Sequence, residues 1–188
     1  MYRNYEPRHI FMVFGICILL VSPVFILLVP LSVVATKYSQ LGSWITYTPG
    51  ANYLLFGIGV LLVSLACLIV YFQSLKKNAI VGGLICMVLS GIVFYSSSLP
   101  YVTLSNEEIS FRKVFSLERQ TYSWDDLDRF VYYETPQQKE KRPYYEFYFS
   151  DGNMLSMYQN GHFTEIVQKN VHSKILLLGI EIEHIHDY

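Results

Sequence analysis

Charge is scarce in the first half of this 188-residue chain. Lys, Arg, Asp and Glu make up 15% of the sequence, against about 25% in an average soluble protein. Only Arg3, Glu6, Arg8, Lys37, Lys76 and Lys77 precede residue 100; every other formal charge follows it. Cysteine is absent from the second half, because Cys17, Cys67 and Cys86 all lie in apolar stretches. That excludes a disulfide framework or a Cys-based metal site there. Also missing are a Gly-rich phosphate loop, a GxSxG or HExxH motif and a Cys/His dyad. What remains is not one soluble globular domain. It is a membrane-embedded half, residues 1–99, joined to a water-soluble half, residues 100–188.

The charges oppose each other across that boundary. Five basic groups and one acidic group give the first half +4, and nine basic against fourteen acidic give the second −5. An acidic domain argues against nucleic acid as a partner, since such binding rests on neutralising phosphates. It equally argues against adhesion to anionic lipid by charge alone.

Three windows, 9–36, 38–75 and 78–106, contain no formal charge. Crossing a hydrocarbon core takes about 20 helical residues, whereas apolar runs of about 10–14 suit buried core helices. The composition therefore predicts spanning helices over residues 10–34, 53–72 and 79–98, with the lipid bilayer as the first partner. The leading apolar run is about twice as long as the 7–15 residues of a secretory signal core, so it reads as a retained span. Pro23 and Pro30 interrupt it, which lipid tolerates when the freed carbonyls find local partners. No span holds Asp, Glu, Lys or Arg, and proton relays and ion paths usually need one. Small residues Gly82, Gly83, Cys86, Ser90 and Gly91 form a stripe on the third helix. Such a stripe lets backbones approach closely. It serves packing within the chain or, alternatively, a homo-oligomer.

The short turn bearing Lys76 and Lys77, with Arg3 and Arg8 at the N-terminal end, satisfies the positive-inside rule when it faces the cytoplasm. Three spans of a multi-pass cell-membrane protein then send the C-terminal domain outside. Arg112, Lys113 and Arg119, close behind the third span, weigh the other way.

From Tyr101 the apolar pattern changes to period two, the mark of half-buried strands. Ile109 and Phe111 alternate with Ser110 and Arg112, and Tyr145, Phe147 and Phe149 alternate with Tyr144, Glu146 and Tyr148. Asp151-Gly152 between two such runs reads as a two-residue type I′ hairpin turn. Residues 101–104, 120–123 and 129–134 are weaker strands, and 135–143 reads as a loop. One helix follows, with Asn160 as its N-cap. Phe163, Val167, Val171, Ile175 and Leu178 form its apolar stripe, and Gly179 its stop. The tail 180–185 alternates and fits a short strand. The fold class is thus three membrane helices plus an α+β, β-rich domain of antiparallel strands and a C-terminal helix.

The runs Tyr101-Val-Thr-Leu-Ser-Asn-Glu-Glu-Ile-Ser-Phe-Arg, Tyr122-Ser-Trp-Asp-Asp-Leu-Asp-Arg-Phe and Tyr145-Glu-Phe-Tyr-Phe-Ser-Asp-Gly carry a resemblance. They resemble the bacterial pleckstrin-homology-like domains that follow membrane helices in small proteins of Gram-positive bacteria. The resemblance covers about residues 100–180. It implies a roll of five to seven antiparallel strands closed by a C-terminal helix, and a cytoplasmic location for the domain. Eukaryotic members bind phosphoinositides through a basic cluster on the first hairpin. Here Arg112, Lys113 and Arg119 are diluted by Glu107, Glu108 and Glu118, so phosphoinositide binding is not supported.

Few constellations carry chemistry. Asp125, Asp126 and Asp128 have the makings of an acid/base or metal site, but Ser123 and Asp126 have capping-box spacing, which explains them as turn residues. His184 and His186, beside Asp187, would face one side of a strand and suit a metal; at the chain end they read instead as a mobile tail. His162 and His172 read as helix surface. Tyr132, Tyr133, Tyr144 and Tyr148 form a candidate exposed aromatic patch for a protein partner, or simply reflect the strand preference of aromatics. The sequence therefore predicts a non-catalytic interaction or scaffolding module without cofactor or metal, its partner another membrane or envelope protein. The alternatives are a subunit of a membrane transport or envelope complex, and an enzyme with a cryptic carboxylate/His site.

Overall fold

The computed structural model describes residues 6–39, 42–135, 142–159 and 163–186. Three long apolar helices are present: α1 (Arg8–Tyr38), α2 (Gly50–Phe72) and α3 (Lys77–Ser97). Each is long and apolar enough to cross a bilayer, as the charge-free windows require. α1 runs through Pro23 and Pro30 without a break. Proline at position 23 removes the hydrogen bond that Leu19 O would otherwise accept. The Ser22 hydroxyl donates to that carbonyl at 2.8 Å, so lipid meets no orphaned group there.

The chain divides into two compact units. In the helical unit, α2 and α3 pack closely. Ser90 Oγ donates to Gly59 O across the pair at 2.9 Å, and the Phe56 and Phe94 rings lie 4.7 Å apart. A Cβ on Gly59 would meet the Phe94 ring at 2.5 Å, so any larger residue there has to displace that ring. At the start of α2, fully buried Asn52 donates through Nδ2 to Pro100 O at 2.8 Å.

The second unit holds two four-stranded sheets. Its strands are β1 (Ser43–Tyr47), β2 (Tyr101–Ser105), β3 (Glu108–Arg112), β4 (Gln120–Ser123), β5 (Leu127–Thr135), β6 (Tyr144–Phe149), β7 (Met154–Tyr158) and β8 (Ile182–His186), and its α-helix among the described residues is α4 (Glu165–Leu177). The sheet orders are β1-β2-β3-β4 and β7-β6-β5-β8. β1 comes from the connection between α1 and α2, where the sequence pattern marks no strand. It pairs antiparallel with β2, Thr46 opposite Thr103 and Tyr47 opposite Val102. Ile45 thereby enters the core beside Val102 and Leu104, and Trp44 lies against Trp124, ring centroids 5.5 Å apart.

The core is largely aromatic. Phe111, Trp124, Phe130, Tyr145 and Phe147 are all within 2% of complete burial. Phe147 meets Phe130 edge-on at 5.0 Å, and Tyr122 stacks on Phe149 at 3.9 Å. Trp124 satisfies its buried indole N–H by donating to Ser105 O at 2.9 Å. The helix closes this core with Val167, Val171 and Ile175.

Local signals differ from expectation in three places. The β6–β7 connection is a three-residue loop, not a two-residue type I′ turn. Gly152 N donates to Phe149 O at 2.9 Å and Phe149 N to Asn153 O at 3.0 Å, and Gly152 has positive φ while Asp151 does not. That is the type I turn plus left-handed residue of the longer hairpin class. The helix has Thr164 at its N-cap position, with no capping hydrogen bond from the side chain; Asn160 and His162 lie outside the described residues. At the other end Gly179, with φ 71°, makes a Schellman stop: its N–H donates to Leu176 O and that of Ile180 to Ile175 O. The tail then pairs with β5 as a parallel strand, so it is an integral part of the sheet. That corrects the reading of the His184 region as a mobile tail.

Candidate functional site

The strand registers decide which tyrosines are presented. Successive residues of a strand point to opposite faces, so Tyr132 and Tyr133 cannot share one. Tyr132 pairs with Tyr145 and Tyr133 with Tyr144. Tyr132 is 9% exposed and stacks on Tyr145 at 4.5 Å. It belongs to the inner face and leaves the expected patch. On the outer face, Tyr133, Tyr144 and Tyr158 occupy one row across β5, β6 and β7. Tyr133 stacks on Tyr144 at 4.4 Å, and Tyr144 meets Tyr158 at 5.6 Å. Tyr158 is 47% exposed, and only the β6–β7 register adds it to the patch.

Tyr148 lies two rows away on the same face, in a polar setting. Its hydroxyl donates to Glu146 Oε2 at 2.6 Å, which pushes its pKa up to about 12, aided by burial. Arg129 sits 5.5 Å over its ring and donates from Nε to Glu183 Oε1 at 2.6 Å, with a second bond from the same guanidinium to Oε2. That fork holds the Glu183 carboxyl below the ordinary carboxylate range. It also ties β8 to β5.

The acidic residues make a turn. Asp126 Oδ2 accepts from Ser123 N at 2.8 Å, and Ser123 Oγ accepts from Asp125 N at 3.4 Å, the reciprocal capping box. Asp151 accepts from the Tyr122 hydroxyl at 2.7 Å and from Asn153, which lowers its pKa. Among the described residues no group of three His, Cys, Asp or Glu has metal-binding geometry.

His172 is not on the open helix surface. It is half-buried, edge-on to Phe130 at 6.1 Å and Tyr145 at 6.0 Å, and its buried Nε2 has no hydrogen-bond partner. Burial, with a smaller effect from His184, lowers its pKa. His184 Nδ1 lies 3.6 Å from Glu134 Oε1. The side chain of His186 and all of Asp187 lie outside the described residues.

In the expected basic cluster, Arg119 is engaged within the sheet, donating to Glu108 Oε1 at 3.2 Å and Ser110 Oγ at 3.0 Å. In the small-residue stripe of α3, Gly83 faces α2, where a Cβ would meet Val70 at 3.0 Å. Gly82 looks toward Ile69 at 3.7 Å, and Ser90 is the α2 contact described above. Cys86 is half-buried. Gly91 faces open space.

Two clefts lie among the described residues, one within each unit. One, of about 420 Å³, is lined by Phe14, Cys17, Val21, Phe56, Val60 and Phe94 in the helical unit. The other, of about 380 Å³, lies between Trp44, Asn106, Asn170, Ser173, Lys174 and Leu177 in the sheet unit. The second depends on β1 for its Trp44 wall. Compared with family models and with curated proteins, the sequence gives no match.

Proposed function

We propose that this chain is a membrane-anchored, non-catalytic interaction module, with the three helices as anchor and the outer face of β5–β6–β7 as the presented surface. The observation that carries the reading is the row Tyr133–Tyr144–Tyr158. Three adjoining phenol rings, Tyr133 stacked on Tyr144 and Tyr158 tilted against it, offer rigid amphipathic area at low entropic cost, the chemistry that protein interfaces favour. Of the carboxylates that an enzyme reading would use, Asp125 and Asp126 lie in the capping-box turn at Ser123, where Asp126 accepts from Ser123 N. A pleckstrin-homology-like roll is the fold reading we favour for the domain. Seven strands, the first lent by the α1–α2 connection, precede α4.

Two variants separate the module from an enzyme. Substituting Tyr133, Tyr144 and Tyr158 together by Ser should abolish co-purification of a membrane or envelope protein from native membranes. Changing Asp125 and His184 to Ala should leave it intact. The reverse pattern would contradict the tyrosine row as the presented surface. The Lys76–Lys77 turn supports an outward-facing domain. An Asp125→Cys chain with its native cysteines changed to Ala should then react with an impermeant maleimide in intact cells; reaction only after lysis would put the domain in the cytoplasm.

A further inference from the structure

The sheet β7-β6-β5-β8 ends on one side at β7, whose sequence is Met154-Leu-Ser-Met-Tyr158. Soluble proteins blunt exposed edges with charge, proline, bulges or shortness. β7 has neither charge nor proline, and its register with β6 is regular from Tyr158 to Met154. The other edges differ. β1 carries an irregularity between Ser43 and Ile45, β4 has four residues, and β8 bears Glu183 locked to Arg129.

The direction of the β7 backbone groups follows from its two ends. Asn153 O accepts from Phe149 N, and Gln159 N donates to Pro143 O at 2.7 Å, both toward β6. With period two, Leu155 and Met157 also bond toward β6. Met154, Ser156 and Tyr158 therefore aim their N–H and C=O groups away from it. Among the described residues no backbone bond to that outer side is present.

The strand is complementary to itself. About a two-fold axis through Ser156, an antiparallel copy places Ser156 opposite Ser156, Met154 opposite Tyr158, and Leu155 opposite Met157. Each outward N–H then meets an outward C=O. The outer row Tyr133–Tyr144–Tyr158 continues into the Met154 thioether of the second copy, a favourable sulfur–aromatic contact. Leu155 and Met157, already on the buried face, continue the inner face. No like charges meet.

We propose that the β7 edges of two copies pair antiparallel about Ser156, making one eight-stranded sheet across a symmetric dimer. This deepens the interaction-module reading, on which it rests, by naming the partner as a second copy of this chain. The test uses the full chain in membranes, with Cys17, Cys67 and Cys86 changed to Ala. In the paired geometry the two Ser156 Cα atoms are about 5.5 Å apart, within disulfide reach. The two Met154 positions are about 14 Å apart along the strands. Mild oxidation should therefore convert most of a Ser156→Cys chain to covalent dimer and leave Met154→Cys and Tyr158→Cys monomeric when each is alone. Met154→Cys and Tyr158→Cys chains expressed together should cross-link to each other. A monomeric Ser156→Cys chain, or Met154→Cys linking to itself as well as Ser156→Cys does, would overturn the pairing. Should cross-linking fail while the Tyr133/Tyr144/Tyr158 variant still loses its partner, the module stands with a different partner; loss of both effects removes both readings.

Discussion

Residues 100–188 produced alone should be poorly folded and prone to aggregate, and supplying Gly42–Tyr47 through a flexible linker should restore cooperative unfolding. The charge pattern makes this segment look self-sufficient, but β1 lies outside it. Without β1, Ile45 leaves the core, and burying such a side chain is worth about 1.5–3 kcal/mol. Trp44 no longer covers Trp124, and β2 becomes a bare edge exposing Val102 and Leu104. A domain with about 5–15 kcal/mol of total stability does not absorb that loss easily. Near-ultraviolet circular dichroism through thermal melts of both fragments checks it. A fragment that melts as sharply without β1 as with it would show the strand to be peripheral.

Phe147→Ala should be among the most damaging single substitutions in the domain. Phe147 is fully buried and touches Phe130 edge-on at 5.0 Å, with Trp124 at 6.5 Å. Truncating a core Phe costs about 3–5 kcal/mol, because the cavity left behind adds to the lost transfer energy. Its neighbour Tyr148 points to the opposite face, so Tyr148→Ala should cost far less. Chemical unfolding of both variants in the β1-containing fragment measures the difference. A loss below about 1 kcal/mol at position 147 would mean that the inner and outer faces of β6 are exchanged.

Much of the domain could be read because its signals are local. Alternation along Tyr144–Phe149 marks a strand whatever it pairs with, and Gly179 stops a helix by its own backbone freedom. The capping box at Ser123 and Asp126 is likewise contained in four residues. Pairings were less legible. β1 is five residues long, stands between two spans, and finds its partner 57 positions away at Thr103. Nothing near Trp44 announces that partner, and an aromatic beside a span also fits a membrane interface. The parallel seat of β8 on β5 depends on where the Schellman stop aims the chain. His172 adjoins Val171 on the helix, and only the breadth of the sheet beneath turns it inward. Tyr132 is a different case. Its parity with Phe130 on β5 already divides the four tyrosines between two faces. Of the candidate surface, Tyr133 and Tyr144 were legible as a pair once the register was known, and Tyr158 joins them only through the β6–β7 pairing.

The α1–α2 connection contributes a strand to the C-terminal domain, which places both in one aqueous compartment. Thr46 and Thr103 are direct cross-strand partners, and their hydroxyl oxygens lie 3.5 Å apart. Cysteines at these two positions, in a full-length chain otherwise free of cysteine, should form an intramolecular disulfide when isolated membranes are treated with a mild oxidant. The expected readout is loss of both reactive thiols, recovered on reduction, with no change in oligomer size. Two thiols that stay fully reactive after oxidation, in a protein that remains folded, would contradict the account.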